Sequence, residues 1–115
     1  MKYTQDFSYA HLTLVDTDSY HGYYLSASIT ENRLRLSRGD DICEYIYMFD
    51  EQTTAKFESR FQSLGNSELF LWKLRETYAR KGDTAEKTLN RILAYCDRKG
   101  MSYEKSMDVS FDDRE

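Results

Sequence analysis

The stretch Ile42-Cys43-Glu44-Tyr45-Ile46-Tyr47-Met48-Phe49-Asp50-Glu51 decides how this 115-residue chain folds. From Ile42 to Phe49 the side chains are apolar or aromatic at nearly every position except Glu44, the pattern of a strand that is central or covered on both faces. At Asp50 the period changes. An acidic cap and first turn (Asp50, Glu51) lead into Phe57, Phe61 and Leu64 at helical spacing, and Gly65 stands where a helix of about four turns would end.

Upstream of this switch the apolar residues alternate. They fall at Ala10, Leu12 and Leu14, then at Tyr23, Leu25, Ala27 and Ile29, then at Leu34 and Leu36, the period of half-buried strands. Turns are expected at Asp16 to Ser19, at Thr30 to Asn32 and at Arg38-Gly39-Asp40-Asp41. Arg38-Gly39-Asp40 also spells a tripeptide of extracellular adhesion ligands, but it reads here as a hairpin turn.

Downstream, Ser67 can cap a second helix carrying Phe70, Leu71, Leu74 and Tyr78, with Gly82 at its end. Asp83 and Glu86 form a D-x-x-E capping box for a third. Ala85, Leu89, Ile92, Leu93 and Cys96 then follow on one face, closed by Arg98, Lys99 and Gly100. Met101, Tyr103, Met107, Val109 and Phe111 alternate with polar residues, as in a half-exposed last strand. The expected architecture is α+β: a mostly antiparallel sheet of about five strands in ββββαααβ order, with helices packed on one face. Residues 1–111 would form a single domain, and residues 112–115 an acidic tail.

Composition bounds the function. The net charge of −4 argues against a dedicated nucleic-acid binder, which must neutralise phosphates with clustered Lys and Arg. Residues 1–50 hold four basic and eight acidic side chains, whereas residues 51–105 hold eleven and eight. The sheet half is therefore acidic and the helical half mildly basic. No apolar run is long enough to span a bilayer and the start lacks the apolar core of a signal peptide, so a cytoplasmic protein without membrane association is expected. Cys43 and Cys96 read as buried thiols rather than a disulfide.

No catalytic or metal motif stands out. The imidazoles are His11 and His21, and neither C-x-x-C nor H-x-x-x-H spacing occurs. Asp16 and Asp18 sit two apart at a strand end, a place where a metal or nucleophile can be held, but Asp and Thr there also suit a turn. No cofactor is expected. The more informative feature is tyrosine, with Tyr3, Tyr9, Tyr20, Tyr23, Tyr24, Tyr45 and Tyr47 all in the first 49 residues. If Leu12 and Leu14 face the helices, Tyr9, His11 and Thr13 face away. The second strand likewise sends Tyr20, Tyr24, Ser26 and Ser28 outward, with Tyr23, Leu25 and Ile29 pointing in. A Tyr- and Ser-rich outer face edged by Arg33 and Arg35 has the chemistry of a protein-binding surface.

The segments Tyr45-Ile46-Tyr47-Met48-Phe49-Asp50-Glu51-Gln52-Thr53-Thr54 and Ile92-Leu93-Ala94-Tyr95-Cys96-Asp97-Arg98-Lys99-Gly100-Met101-Ser102-Tyr103 together resemble small bacterial proteins of unknown function, some of which look like immunity proteins of toxin systems. The resemblance implies a cytoplasmic protein that binds and blocks a partner, and it defines no functional residues.

The sequence is read first as a non-catalytic binding or inhibitory protein, immunity-type or a mobile-element accessory. Its surface would be Tyr9, Asp16, Asp18, Tyr20, Tyr24, Arg33, Arg35, Asp40 and Asp41, facing a basic protein partner. The alternatives are a small enzyme with a site near His11, His21, Asp16 and Asp18, and a self-associating structural domain forming a homodimer.

Overall fold

The change of period at Asp50 is a change of layer. In the structure, a computed structural model describing residues 9–18, 23–39 and 43–109, strands β1 (Tyr9–Asp18), β2 (Tyr23–Thr30), β3 (Arg33–Gly39) and β4 (Cys43–Met48) precede α1 (Glu51–Arg60), α2 (Ser67–Tyr78) and α3 (Ala85–Arg98). Strand β5 (Glu104–Val109) follows them. The five strands form one sheet in the order β1-β2-β3-β4-β5, and every neighbouring pair is antiparallel. This is the expected α+β fold.

The β2–β3 hairpin closes through Glu31 and Asn32, both left-handed at φ 54° and 64°. Two successive residues of that conformation make a turn whose twist matches that of the strands. Alternation then sorts the sheet. Ala10, Leu14, Leu25, Ala27, Ile29, Leu34 and Leu36 are buried beneath the helices, which lie over β1, β2 and β3. Each Leu or Ile buried in this way contributes roughly 1.5–3 kcal/mol. At the uncovered end of this face the guanidinium of Arg38 lies 4.6 Å above the ring of Tyr45, and the Lys105 ammonium stands 5.7 Å from the rings of Tyr45 and Tyr47. Cationic stems there cover apolar surface that no helix reaches.

The helices meet one another through rings. Phe57 of α1 packs against Phe70 of α2 at 5.2 Å and stacks on Tyr95 of α3 at 5.6 Å. Helix α1 is pinned to the sheet by Thr54, whose Oγ1 accepts the backbone N–H of Leu34 at 2.9 Å.

Several expectations are corrected. Helix α1 is shorter than four turns, because the backbone N–H and Oγ of Ser63 both return to the Glu58 carbonyl and turn the chain away. Leu64 consequently lies outside the helix and is 64% exposed. Asn66, not Ser67, caps α2 by accepting the Leu69 N–H, and the helix stops at Tyr78, before Gly82. Thr84, not Asp83, caps α3. Asp83 instead forms an ion pair with Arg91 at 2.6 Å. Strand β1 runs through the expected turn to Asp18, and Tyr23, on the same side of β2 as Leu25, is 44% exposed. Arg38 and Gly39 end β3, while Asp40 lies outside the described residues, as do Ser19, Phe111 and residues 112–115. Cys96 is buried, and no disulfide joins it to Cys43.

Candidate functional site

The face of the sheet opposite the helices is a grid fixed by strand register. One row crosses all five strands as Asp16, Tyr24, Gly39, Glu44 and Asp108. The next is Thr13, Ser26, Ser37, Ile46 and Ser106, and beyond it lie His11, Ser28, Arg35, Met48 and Glu104. Residues directly opposite on neighbouring strands share a face, so these fifteen residues lie on one face.

At the centre three long side chains converge over two small residues. Glu44 Oε2 accepts the phenol of Tyr24 at 3.1 Å and the hydroxyl of Ser37 through a short contact. Glu44 Oε1 faces Arg35 Nη2 at 3.9 Å, with the two side chains 32% and 42% exposed. An ion pair so open to solvent is worth at most about 1 kcal/mol. Ser37 and Gly39 are buried although they point away from the helices, because Tyr24 and Glu44 lie across them. Burial raises the Tyr24 phenol above its usual 10.0; the Ser37 hydroxyl opposes this and the Glu44 carboxylate adds to it. Tyr24 is therefore a neutral hydrogen-bond donor at physiological pH.

Around this cluster Asp16 and Asp108 are exposed at the two ends of the row, and Ile46 and Met48 are part-exposed beside it. The surface has an aromatic centre, apolar flanks and carboxylates at its rim. Such a surface can seat a cationic partner.

Of the residues expected from sequence, Tyr24, Arg35 and Asp16 occupy this face. Arg33, two residues before Arg35 in β3, stands at the edge of the same face. Its Nε donates to the Phe49 carbonyl at 3.3 Å and holds the β4–α1 junction. Tyr9 pairs with Thr30 and Asp18 with Tyr23 through their backbones, but their side chains lie outside the described residues. Tyr20, His21, Asp40 and Asp41 lie outside them altogether. Glu44 and Ser37 were missed. Glu44 had left a signal, as the lone charge in an otherwise apolar strand.

His11 and Asp16 are both exposed and are separated by the row of Thr13 and Ser26, so they do not share a cleft centre. Among the described residues no group of three His, Cys, Asp or Glu side chains could hold a metal ion, and no helix is long and apolar enough to cross a membrane. No protein-family model, curated protein or solved structure matches the chain.

Proposed function

We propose that the chain is a non-catalytic protein-binding protein that holds a basic partner against the acidic row of its open sheet face. The observation that carries this reading is the Asp16-Tyr24-Gly39-Glu44-Asp108 row, with a neutral tyrosine whose ring lies across the central Gly39 and exposed carboxylates at both ends. An aromatic donor with few rotatable bonds supplies contact area at low entropy cost, and the surrounding carboxylates add steering and register. The resemblance at residues 45–54 and 92–103 favours an inhibitory, immunity-type form, in which binding blocks the partner's own surface.

The test is affinity capture of the tagged protein from its native cells at moderate salt, with mass spectrometry of what co-purifies. The wild type is expected to retain a basic protein in stoichiometric amount. The double substitution Tyr24→Ala and Asp108→Lys should lose it without a large fall in thermal midpoint. Recovery of the chain alone, as a dimer by light scattering, would replace this reading with self-association. Recovery of a partner indifferent to the double substitution would move the binding surface elsewhere.

A further inference from the structure

The described sheet ends at β1, and alongside this edge runs a cleft of 690 Å³. One wall is Ala10, His11 and Leu12 of β1; the other is Asn66, Glu68, Leu69, Leu71 and Trp72 at the start of α2. Leu69 and Trp72 are 39% and 49% exposed, an unusual amount of open apolar surface for two residues three positions apart on one helix. The Thr13 carbonyl is turned toward the helix, where Arg75 Nη1 reaches it at 3.4 Å while the guanidinium rests 4.4 Å above the Trp72 ring. Farther along the strand a second cleft of 300 Å³ lies between Leu14, Val15 and Asp16 and the segment Ala79 to Asp83, with Arg75, Arg80 and Lys81 on its rim. Asp83 is already engaged by Arg91, so cations predominate at that end. A register shift between Thr13 and Val15 separates the two clefts and bounds the part of β1 that a further strand could follow.

An edge strand facing a helix across an open groove is the geometry of strand addition: the backbone supplies affinity and pockets beside it supply specificity. We propose that this groove takes an extended segment of a partner protein as a sixth strand on β1. The segment carries an aromatic or large aliphatic side chain, seated on Leu69 and Trp72, and acidic residues that reach Arg75, Arg80 and Lys81. The incoming amide replaces the Arg75 guanidinium at the Thr13 carbonyl and frees that cation for a carboxylate. Charge complementarity selects the occupant, since the rim at the far end is basic although the chain as a whole is acidic. The site goes beyond the sheet-face reading; Asp16 borders both, and the two are separable through Tyr24 and Asp108, which do not line the groove.

The test is panning of a phage-displayed library of random octapeptides on the immobilised protein, followed by titration of the enriched peptides in solution. Trp72 is the chain's one tryptophan, so its emission reports the groove directly. Enriched peptides should pair an aromatic or large aliphatic residue with nearby Asp or Glu and should shift Trp72 emission to the blue. They should weaken at least tenfold against Leu69→Asp, a change suited to the first turn of a helix and therefore compatible with folding. They should weaken severalfold at low salt against Arg80→Glu with Lys81→Glu, and should bind Tyr24→Ala with Asp108→Lys normally. Absence of enrichment, peptides indifferent to Leu69→Asp, or a dimer that Leu69→Asp converts to monomer would each overturn the proposal.

Discussion

The ring of Tyr24 occupies the space that a side chain at Gly39 would need: a β-carbon added there would lie 2.6 Å from the outer ring atoms and hydroxyl of Tyr24. The obstructing atoms are the far end of a side chain that can swing outward, so Gly39→Ala should cost only about 1 kcal/mol, at the low end of overpacking penalties. It should also lift the phenol off Glu44. Denaturant unfolding and a spectrophotometric phenol titration check both halves, the Tyr24 ionisation returning toward 10.0. A loss of several kcal/mol would show that the ring is locked in place.

Thr88 is fully buried in α3, and its Oγ1 has no hydrogen-bond partner among the described residues. Thr88→Val keeps the shape and removes a desolvated hydroxyl, so it should stabilise the protein by about 1 kcal/mol. Equilibrium unfolding in urea reads the change. Destabilisation would mean that the hydroxyl has a partner.

The cap of α3 offers a direct comparison. Thr84 Oγ1 accepts the Lys87 N–H at 3.1 Å, and Thr84→Ala should cost about 1 kcal/mol. Glu86→Ala should cost little, because the cap is not the Asp83/Glu86 box. Equal losses from the two substitutions would restore that box.

Glu58 is buried to 7% exposure and its Oε2 accepts from Ser67 Oγ at 3.3 Å. Burial raises its carboxyl above 4.5, against the opposing bonds from the Gly65 N–H and Ser67. A raised folded pKa means that the folded state holds its proton longer. The contribution is whole below about 4.5 and is lost as pH rises through the folded value. Glu58→Gln should therefore gain on the wild type between pH 4 and 7, as read by thermal midpoints across that range. A gap that narrows as pH rises would refute the assignment.

Tyr78, half-buried against Phe61 and Tyr95, is pushed up to about 12 by burial first and by its neighbours second. Its contribution to stability is whole below 10 and is lost as pH climbs through about 12. Tyr78→Phe should match the wild type at pH 7 and outlast it in alkaline unfolding above pH 10. Identical alkaline curves would assign the loss to other groups.

The layers were legible because they rest on periodicity over many residues: the switch at Asp50, the apolar stripe of α3 and the alternation of β2 and β3. The caps were not, because Asn66 and Ser67, or Asp83 and Thr84, are adjacent residues of equal capping chemistry, and only backbone geometry chooses between them. Leu64 failed because the Ser63 bonds to Glu58 end α1 early. The outward direction of Tyr24 followed from alternation alone. Its bond to Glu44 did not, since residues 20 positions apart meet only through the register of three strands.

Among the described residues strand β5 enters the sheet solely beside β4, and residues 49–103, with helices α1, α2 and α3, lie between them in the chain. The meander of β1 to β4 can zip through short, successive closures, whereas β5 must wait for the longest loop in the molecule to close. In time, then, the sheet has an early part and a late part. Asp108, at one end of the acidic row, belongs to the late part, so the row is complete only when folding is.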